Sequence, residues 1–89
     1  MATHKSAEKR HRQSLKRRTR NQAQKARLRT LVKKVRSALD RKDVAAAESE
    51  LQIAARALDR AVTQGVLHRR SASRRISRLA SRLHETRGN

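Results

Sequence analysis

The 89-residue sequence contains no cysteine, no proline and no aromatic residue, and it has only two glycines. Without cysteine the chain can form neither a disulfide framework nor a thiolate zinc site. Without Phe, Tyr or Trp it has no side chain on which unpaired bases stack, which argues against the common single-strand readers. The absence of proline and the scarcity of glycine argue against a sheet built on tight turns.

Long apolar stretches are also absent. The longest apolar runs hold four residues, for example 44–47, whereas a membrane-spanning helix needs about 20. No apolar run of signal-peptide length follows the basic N-terminus, so we expect a soluble, intracellular protein located in the cytoplasm. The large aliphatic residues number sixteen, which predicts a small core and a free chain that is marginally stable or depends on a partner.

The charge of the chain is strongly positive and unevenly distributed. Twenty-five Lys and Arg against seven Asp and Glu give a formal net charge of +18. Residues 1–42 hold sixteen basic and two acidic side chains, residues 43–65 hold two and four, and residues 66–89 hold seven and one. Two basic segments therefore flank a mildly acidic one. Arg outnumbers Lys by 18 to 7, which favours bidentate contacts with phosphate and hence a nucleic-acid partner.

Apolar periodicity predicts three helices, over about 5–41, 44–64 and 70–85. In the first helix Leu28, Val32, Val35 and Leu39 recur at the spacing of one helical face, whereas the residues before them carry no such stripe. The predicted fold is an all-α three-helix bundle with a long, basic N-terminal helix that projects beyond it. The predicted divisions are a basic helical extension (1–27), the bundle (28–86) and a flexible tail (87–89).

The connections between the helices contain capping residues. Asp43 is typical of an N-cap for the second helix, and Gly65 is typical of a C′ glycine in the left-handed conformation at its end. The second helix is apolar on two sides, with Leu58 in one stripe and Ile53 nearly opposite. This pattern predicts a helix that is sandwiched between its neighbours.

The basic extension repels itself as an isolated helix. Like charges four residues apart, for example Lys16 and Arg20, each destabilise a helix slightly, and Glu8 with Arg12 is the one clear compensating pair. We therefore expect residues 1–24 to be frayed or disordered in the free protein and to become helical when a polyanion neutralises them.

No arrangement of side chains in the sequence resembles an active site or a metal site. The histidines lie in basic segments and lack the spacing to carboxylates that metal ligands show; they are His4, His11, His68 and His84. No nucleophile occurs with a base and an orienting group. We expect no enzymatic activity, no cofactor, no metal and no small-molecule substrate.

The composition favours structured RNA as the partner. A long helix with basic residues on all sides suits a cleft between packed RNA helices, because a duplex would cover only one side of it. A sequence-tolerant, DNA-compacting nucleoid protein is the alternative, although no dimerisation seam or apolar wedge supports it. A membrane-active cationic helix is a third hypothesis, against which the absence of Trp and Phe argues.

Short motifs run along nearly the whole chain. They are Lys5-Ser6-Ala7 with Lys9-Arg10, Ser14, Arg17, Asn21, Arg29-Thr30, Lys33-Lys34, Asp43 with Ala46-Ala47, Asp59, Gly65 with His68-Arg69, Ala72, Arg74 and Ser77-Arg78-Leu79-Ala80. In order and spacing they resemble the bacterial small-subunit ribosomal protein S20 family. The resemblance implies a three-helix bundle, monomeric when free, that binds small-subunit ribosomal RNA directly and early in assembly. It implies contact with the 5′ domain, near the penultimate helix of the 3′ minor domain, and neighbouring ribosomal proteins in the assembled subunit.

The predicted RNA-binding residues lie in the first and third helices. The resemblance implies RNA contacts by Lys5, Lys9, Arg10, Arg17, Asn21, Arg29, Lys33, Lys34, His68, Arg69, Arg74 and Arg78. Further basic and hydroxyl side chains of the same two helices are also predicted to bind RNA. They are Ser6, Arg12, Ser14, Lys16, Arg18, Arg20, Arg27, Arg70, Arg75 and Arg82.

The chain departs from the family pattern at a few positions. Lys42 stands where the family often has glycine, which costs roughly 1 kcal/mol if the site requires a positive φ. Arg70 and Ser71 replace the usual Asn and Lys, and Ile76 replaces a basic residue and extends the apolar face of the third helix.

Overall fold

A computed structural model describes residues 4–88 of the chain, and these residues form three helices. The helices are α1 (His4–Asp40), α2 (Val44–Thr63) and α3 (Arg69–Gly88). Short turns connect them, and no strand occurs between residues 4 and 88. The prediction of an all-α protein with a long first helix is confirmed.

The first helix begins to bury side chains only from its middle. Its buried residues are Leu28, Val32, Val35, Ala38 and Leu39, whereas every residue from 4 to 20 is exposed. The molecule measures 67 × 20 × 14 Å, with a radius of gyration of 17.8 Å, against about 12 Å for a compact chain of this length. The N-terminal half of α1 therefore projects beyond the bundle, as the sequence predicts.

The second helix is the central element of the bundle. It packs against both α1 and α3 along its length, whereas α1 and α3 share only a narrow contact. Its buried residues are Leu58 and three alanines, Ala47, Ala54 and Ala61, and such small side chains let neighbouring helices approach closely. The sandwiched position is thus confirmed, except that Ile53 is 49% exposed, since two neighbours leave one side of a central helix facing solvent.

The turn between α1 and α2 is held by backbone hydrogen bonds around a left-handed residue. Lys42 has φ of 59°, and its N–H donates to Leu39 O (3.0 Å) while Asp43 N–H donates to Ala38 O (2.9 Å). These are the two bonds of the Schellman motif. Asp43 also caps α2, because its Oδ1 accepts from Ala46 N–H (3.2 Å). The predicted N-cap is confirmed, and Lys42 does occupy a position that favours glycine.

The turn between α2 and α3 uses the same motif. Gly65 has φ of 77°, and Val66 N–H donates to Ala61 O (2.9 Å), which confirms the predicted C′ glycine. Val66 and Ala61 are both buried in one hydrophobic cluster. The next helix begins with a cap that the sequence does not suggest, in which His68 Nδ1 accepts from Arg70 N–H (3.1 Å).

The third helix extends further than predicted. The expected tail at 87–89 is helical through Gly88, and Asn89 lies outside the described residues. Near this end Arg87 forms an ion pair with Glu48 of α2. The aliphatic periodicity ends at Leu83 and so gives no sign of the last turn, which a polar contact between helices stabilises instead.

Candidate nucleic-acid interface

The projecting half of α1 is cationic over most of its circumference. Between residues 4 and 27 it carries ten Lys or Arg and one acidic residue, Glu8. The predicted RNA-binding side chains here are exposed, and they are Lys5, Ser6, Lys9, Arg10, Arg12, Ser14, Lys16, Arg17, Arg18, Arg20 and Arg27. Glu8 Oε1 lies 3.3 Å from His4 Nε2; the pairing expected with Arg12 does not form in the described part of the chain.

Polar side chains mark the transition from the projecting half to the bundle. Asn21 is partly buried, and its Oδ1 has no hydrogen-bond partner among the described residues. About one turn further on, Gln24 Nε2 donates to Gln64 Oε1 of the α2 C-cap (3.0 Å). The groove beside this bond is flanked by Arg27 and Arg60. Sequence reasoning missed Gln64 and Arg60 because they belong to the acidic segment, which carries no basic pattern.

The third helix presents a second basic surface. Its predicted RNA-binding residues are all exposed. Except for Arg82, none of them has an acidic partner among residues 4–88, and these unpaired residues are His68, Arg69, Arg70, Arg74, Arg75 and Arg78. Ile76 is half-buried against the core, so it does extend the apolar face. Arg82 differs from the other predicted RNA-binding arginines because it forms an ion pair with Asp40 at the end of α1.

The basic surfaces of α1 and α3 meet in a groove between the two helices. The groove has a volume of about 590 Å³, and its charged side chains, here called the groove cations, are Arg29, Lys33, Arg36 and Arg75. Three of them belong to the predicted set. Arg36 was missed, although it lies three residues after Lys33 and therefore on the same side of α1.

The remaining predicted residues lie apart from this groove. Lys5 precedes Arg29 by 24 residues, which corresponds to about 36 Å along a helix. Lys34 is exposed beside Lys33 but does not line the groove. The predicted set therefore divides into two regions, one on the projecting half of α1 and one across α1 and α3.

Acidic side chains stabilise the end of the bundle opposite the projecting half. Asp40 pairs with Arg82 and Glu48 pairs with Arg87, while Asp43 caps α2. All three carboxylates lie where α1 ends, α2 begins and α3 ends. These three carboxylates are thereby kept away from the projecting half and from the groove cations.

The described residues define a class of protein. They form a small, strongly cationic, all-helical molecule whose basic side chains face outward on two surfaces, as in proteins that bind polyanions. Within residues 4–88 no group of His, Asp or Glu is arranged to hold a metal ion. None of the helices in that range is both long and apolar enough to cross a membrane.

Comparison with known proteins gives the family. The model of the family described as ribosomal protein S20 matches residues 2–84. The chain is 48% identical over 85 residues to the small ribosomal subunit protein bS20 of Maridesulfovibrio salexigens, covering 96% of this chain and 98% of that protein. It is 49% identical over 85 residues to bS20 of Solidesulfovibrio magneticus, covering 96% of each, and 47% identical over 79 residues to bS20 of Helicobacter pylori, covering 89% of each. The chain belongs to the ribosomal protein S20 family, which confirms the resemblance seen in its motifs.

Proposed function

We propose that the protein is a structural component of the small ribosomal subunit and binds small-subunit ribosomal RNA directly. The observation that carries this proposal is the projecting half of α1, in which every residue from 4 to 20 is exposed and cations cover most of the helix circumference. A helical segment that no other described part of the chain covers and that carries this charge is explained if RNA surrounds it. The printed names of the relatives, which are small-subunit proteins, support the same assignment.

The binding mechanism is phosphate neutralisation with release of counterions. The guanidinium groups of arginines in α1 and α3 each donate two hydrogen bonds to phosphate oxygens. Nearby polar side chains such as Ser6, Ser14 and Asn21 form hydrogen bonds with ribose hydroxyls. No aromatic side chain is present for stacking, so recognition depends on the shape and charge of the folded RNA. The protein acts as a monomeric spacer that holds RNA helices together, without a catalytic step.

The RNA target is the 5′ domain of small-subunit ribosomal RNA, near the penultimate helix of the 3′ minor domain. The resemblance to the family supports this location, and the length of the molecule, 67 Å, suits a protein that joins separate RNA elements. The projecting half lies between packed RNA helices, while α3 faces a second element. In the assembled subunit, in the cytoplasm, neighbouring ribosomal proteins are reached through this RNA.

Binding to the isolated 5′-domain RNA over a salt series tests the proposal. If about eight phosphates are contacted, the logarithm of the binding constant should fall against the logarithm of salt concentration with a slope of about −6 to −7. Excess random duplex DNA and RNA serve as competitors. Tight binding that survives both competitors near physiological salt supports specific recognition of folded ribosomal RNA.

Variants identify the surfaces involved. Arg17→Ala, Arg29→Ala and Arg74→Ala should each weaken binding and make the salt slope shallower, because each removes a phosphate contact. Arg56→Ala is the matched control, since Arg56 is an exposed arginine of α2 outside both surfaces. Loss of binding in proportion to competitor phosphate would contradict the proposal and favour the DNA-compacting alternative.

A further inference from the structure

The groove between α1 and α3 concentrates positive charge from two helices. On α1 its cations follow one another at spacings of four and three residues, and Arg75 adds a fourth from α3. Among residues 4–88 none of the groove cations forms an ion pair. Like charges at these spacings repel one another, so the groove carries an electrostatic cost that a bound polyanion removes.

The charges on the two walls lie level with each other. α1 and α3 run in the same direction, and the ion pair between Arg82 and Asp40 shows which residues of the two helices lie level with each other. Arg75 precedes Arg82 by seven residues and Lys33 precedes Asp40 by seven residues, which is about two helical turns in each case. Arg75 therefore lies opposite the α1 cations instead of being displaced along the groove.

The size and lining of the groove suit one nucleic-acid strand. A volume of about 590 Å³ lies in the range of sites for single small molecules, about 300–1,000 Å³, so the groove has room for one sugar–phosphate strand and not for the full width of a duplex. Ala26 and Val32 contribute apolar surface between the cations, which fits the face of a sugar ring. Thr30 Oγ1 donates to Ala26 O (3.1 Å), so this hydroxyl can only accept a hydrogen bond from a ligand, and contacts with phosphate are left to the groove cations.

We propose that this groove holds a single sugar–phosphate strand of the bound RNA, whose neighbouring phosphates are contacted by α1 and α3 together. The inference rests on the proposed function and goes beyond it, because it assigns Arg29 and Arg75 to the same strand. It also adds Arg36 as a phosphate-binding residue. Two helices that hold one strand depend on each other for affinity, whereas two helices on separate RNA elements contribute independently.

A double-mutant cycle on the full chain distinguishes these arrangements. Binding of the isolated 5′-domain RNA is measured near physiological salt, where charges more than about 8 Å apart are screened. Arg29→Ala and Arg75→Ala should each weaken binding about tenfold, and the double variant should lose only about 20- to 30-fold, because coupled contacts are not additive. The control pair is Arg17→Ala with Arg75→Ala. Arg17 lies about 18 Å further along α1, so that double variant should lose about 100-fold.

The part played by Arg36 is tested with a second pair of single variants. Arg36→Ala should weaken binding about tenfold, whereas Arg41→Ala, at an exposed arginine just beyond α1 and outside the groove, should change it less than about threefold. All of these side chains are exposed and each substitution removes a repulsive charge, so the variants should unfold at the temperature of the parent or slightly above it.

The outcomes separate this inference from the proposed function. Coupling between Arg29 and Arg75, with independence of Arg17 and Arg75, supports one shared strand. Multiplicative losses in both cycles overturn the shared strand and leave the RNA-binding function in place. Equal coupling in both cycles also overturns it, because the effect would then not be local to the groove. If neither single groove variant weakens binding, the groove is not an RNA contact.

Discussion

Replacement of Lys42 by glycine is expected to stabilise the protein. Lys42 has φ of 59°, a conformation that costs an L-residue roughly 1–2 kcal/mol, and its side chain is exposed. Glycine avoids that cost but loses roughly 0.5–1 kcal/mol more than alanine in chain entropy on folding. From the midpoints of these ranges the net gain is about 0.75 kcal/mol, which raises the Tm of a domain this size by about 3–6 °C.

The control is Lys42→Ala, which removes the same charge and keeps the Cβ atom. The converse change is Gly65→Ala at φ of 77°, where an added Cβ meets no atom within 4 Å, so that its cost of about 1 kcal/mol is backbone strain alone. Far-UV circular dichroism is the suitable assay, because the chain has no Trp or Tyr for fluorescence. Equal Tm values for Lys42→Gly and Lys42→Ala would refute the reasoning.

Three further predictions concern the core, a cap and the projecting half. Leu58→Ala removes a side chain that is 0% exposed and should lower the free energy of unfolding by about 2–5 kcal/mol in a denaturant titration. Ile53→Ala, at an exposed site, should change that free energy by less than about 0.5 kcal/mol, and equal losses would contradict the assigned core. Asp43→Ala should cost about 1 kcal/mol in thermal unfolding, whereas Asp43→Asn should cost little because its amide oxygen still accepts from Ala46 N–H; similar losses would argue against the cap. Amides of residues 4–24 should exchange rapidly in the free protein and slowly in the RNA complex, since like charges repel along this helix and no packing opposes them; strong protection without RNA would contradict this expectation.

The helices and the caps formed by Asp43 and Gly65 could be predicted from local chemistry. The stripe from Leu28 to Leu39 repeats at the helical period and is buried as expected, because burial of such a stripe is what stabilises a helix in a small bundle. Asp43 and Gly65 act within a few residues of their own positions. Interactions of this short range are visible in the sequence without knowledge of the tertiary structure.

Contacts between helices could not be predicted in this way. The pairs Arg82 with Asp40 and Arg87 with Glu48 depend on the register of one helix against another, which periodicity does not determine. For the same reason the sequence groups Arg82 with the other arginines of α3 and does not indicate that Arg36 lines the groove. Periodicity assigns a residue to a face, and only the packing of the helices decides what lies opposite.

Because α2 packs against both α1 and α3, this acidic helix determines how far apart the two basic surfaces lie. Since α1 and α3 have little direct contact, the width of the groove between them depends on the size of the side chains that α2 packs against both helices. These side chains are mostly alanines. Ala54 is 0% exposed and belongs to the same core cluster as Val35 of α1 and Leu79 of α3. A larger side chain there would move the two walls of charge apart without altering a single charged residue. The distance between the two basic helices is thus determined by α2, the one helix that carries no predicted RNA contact.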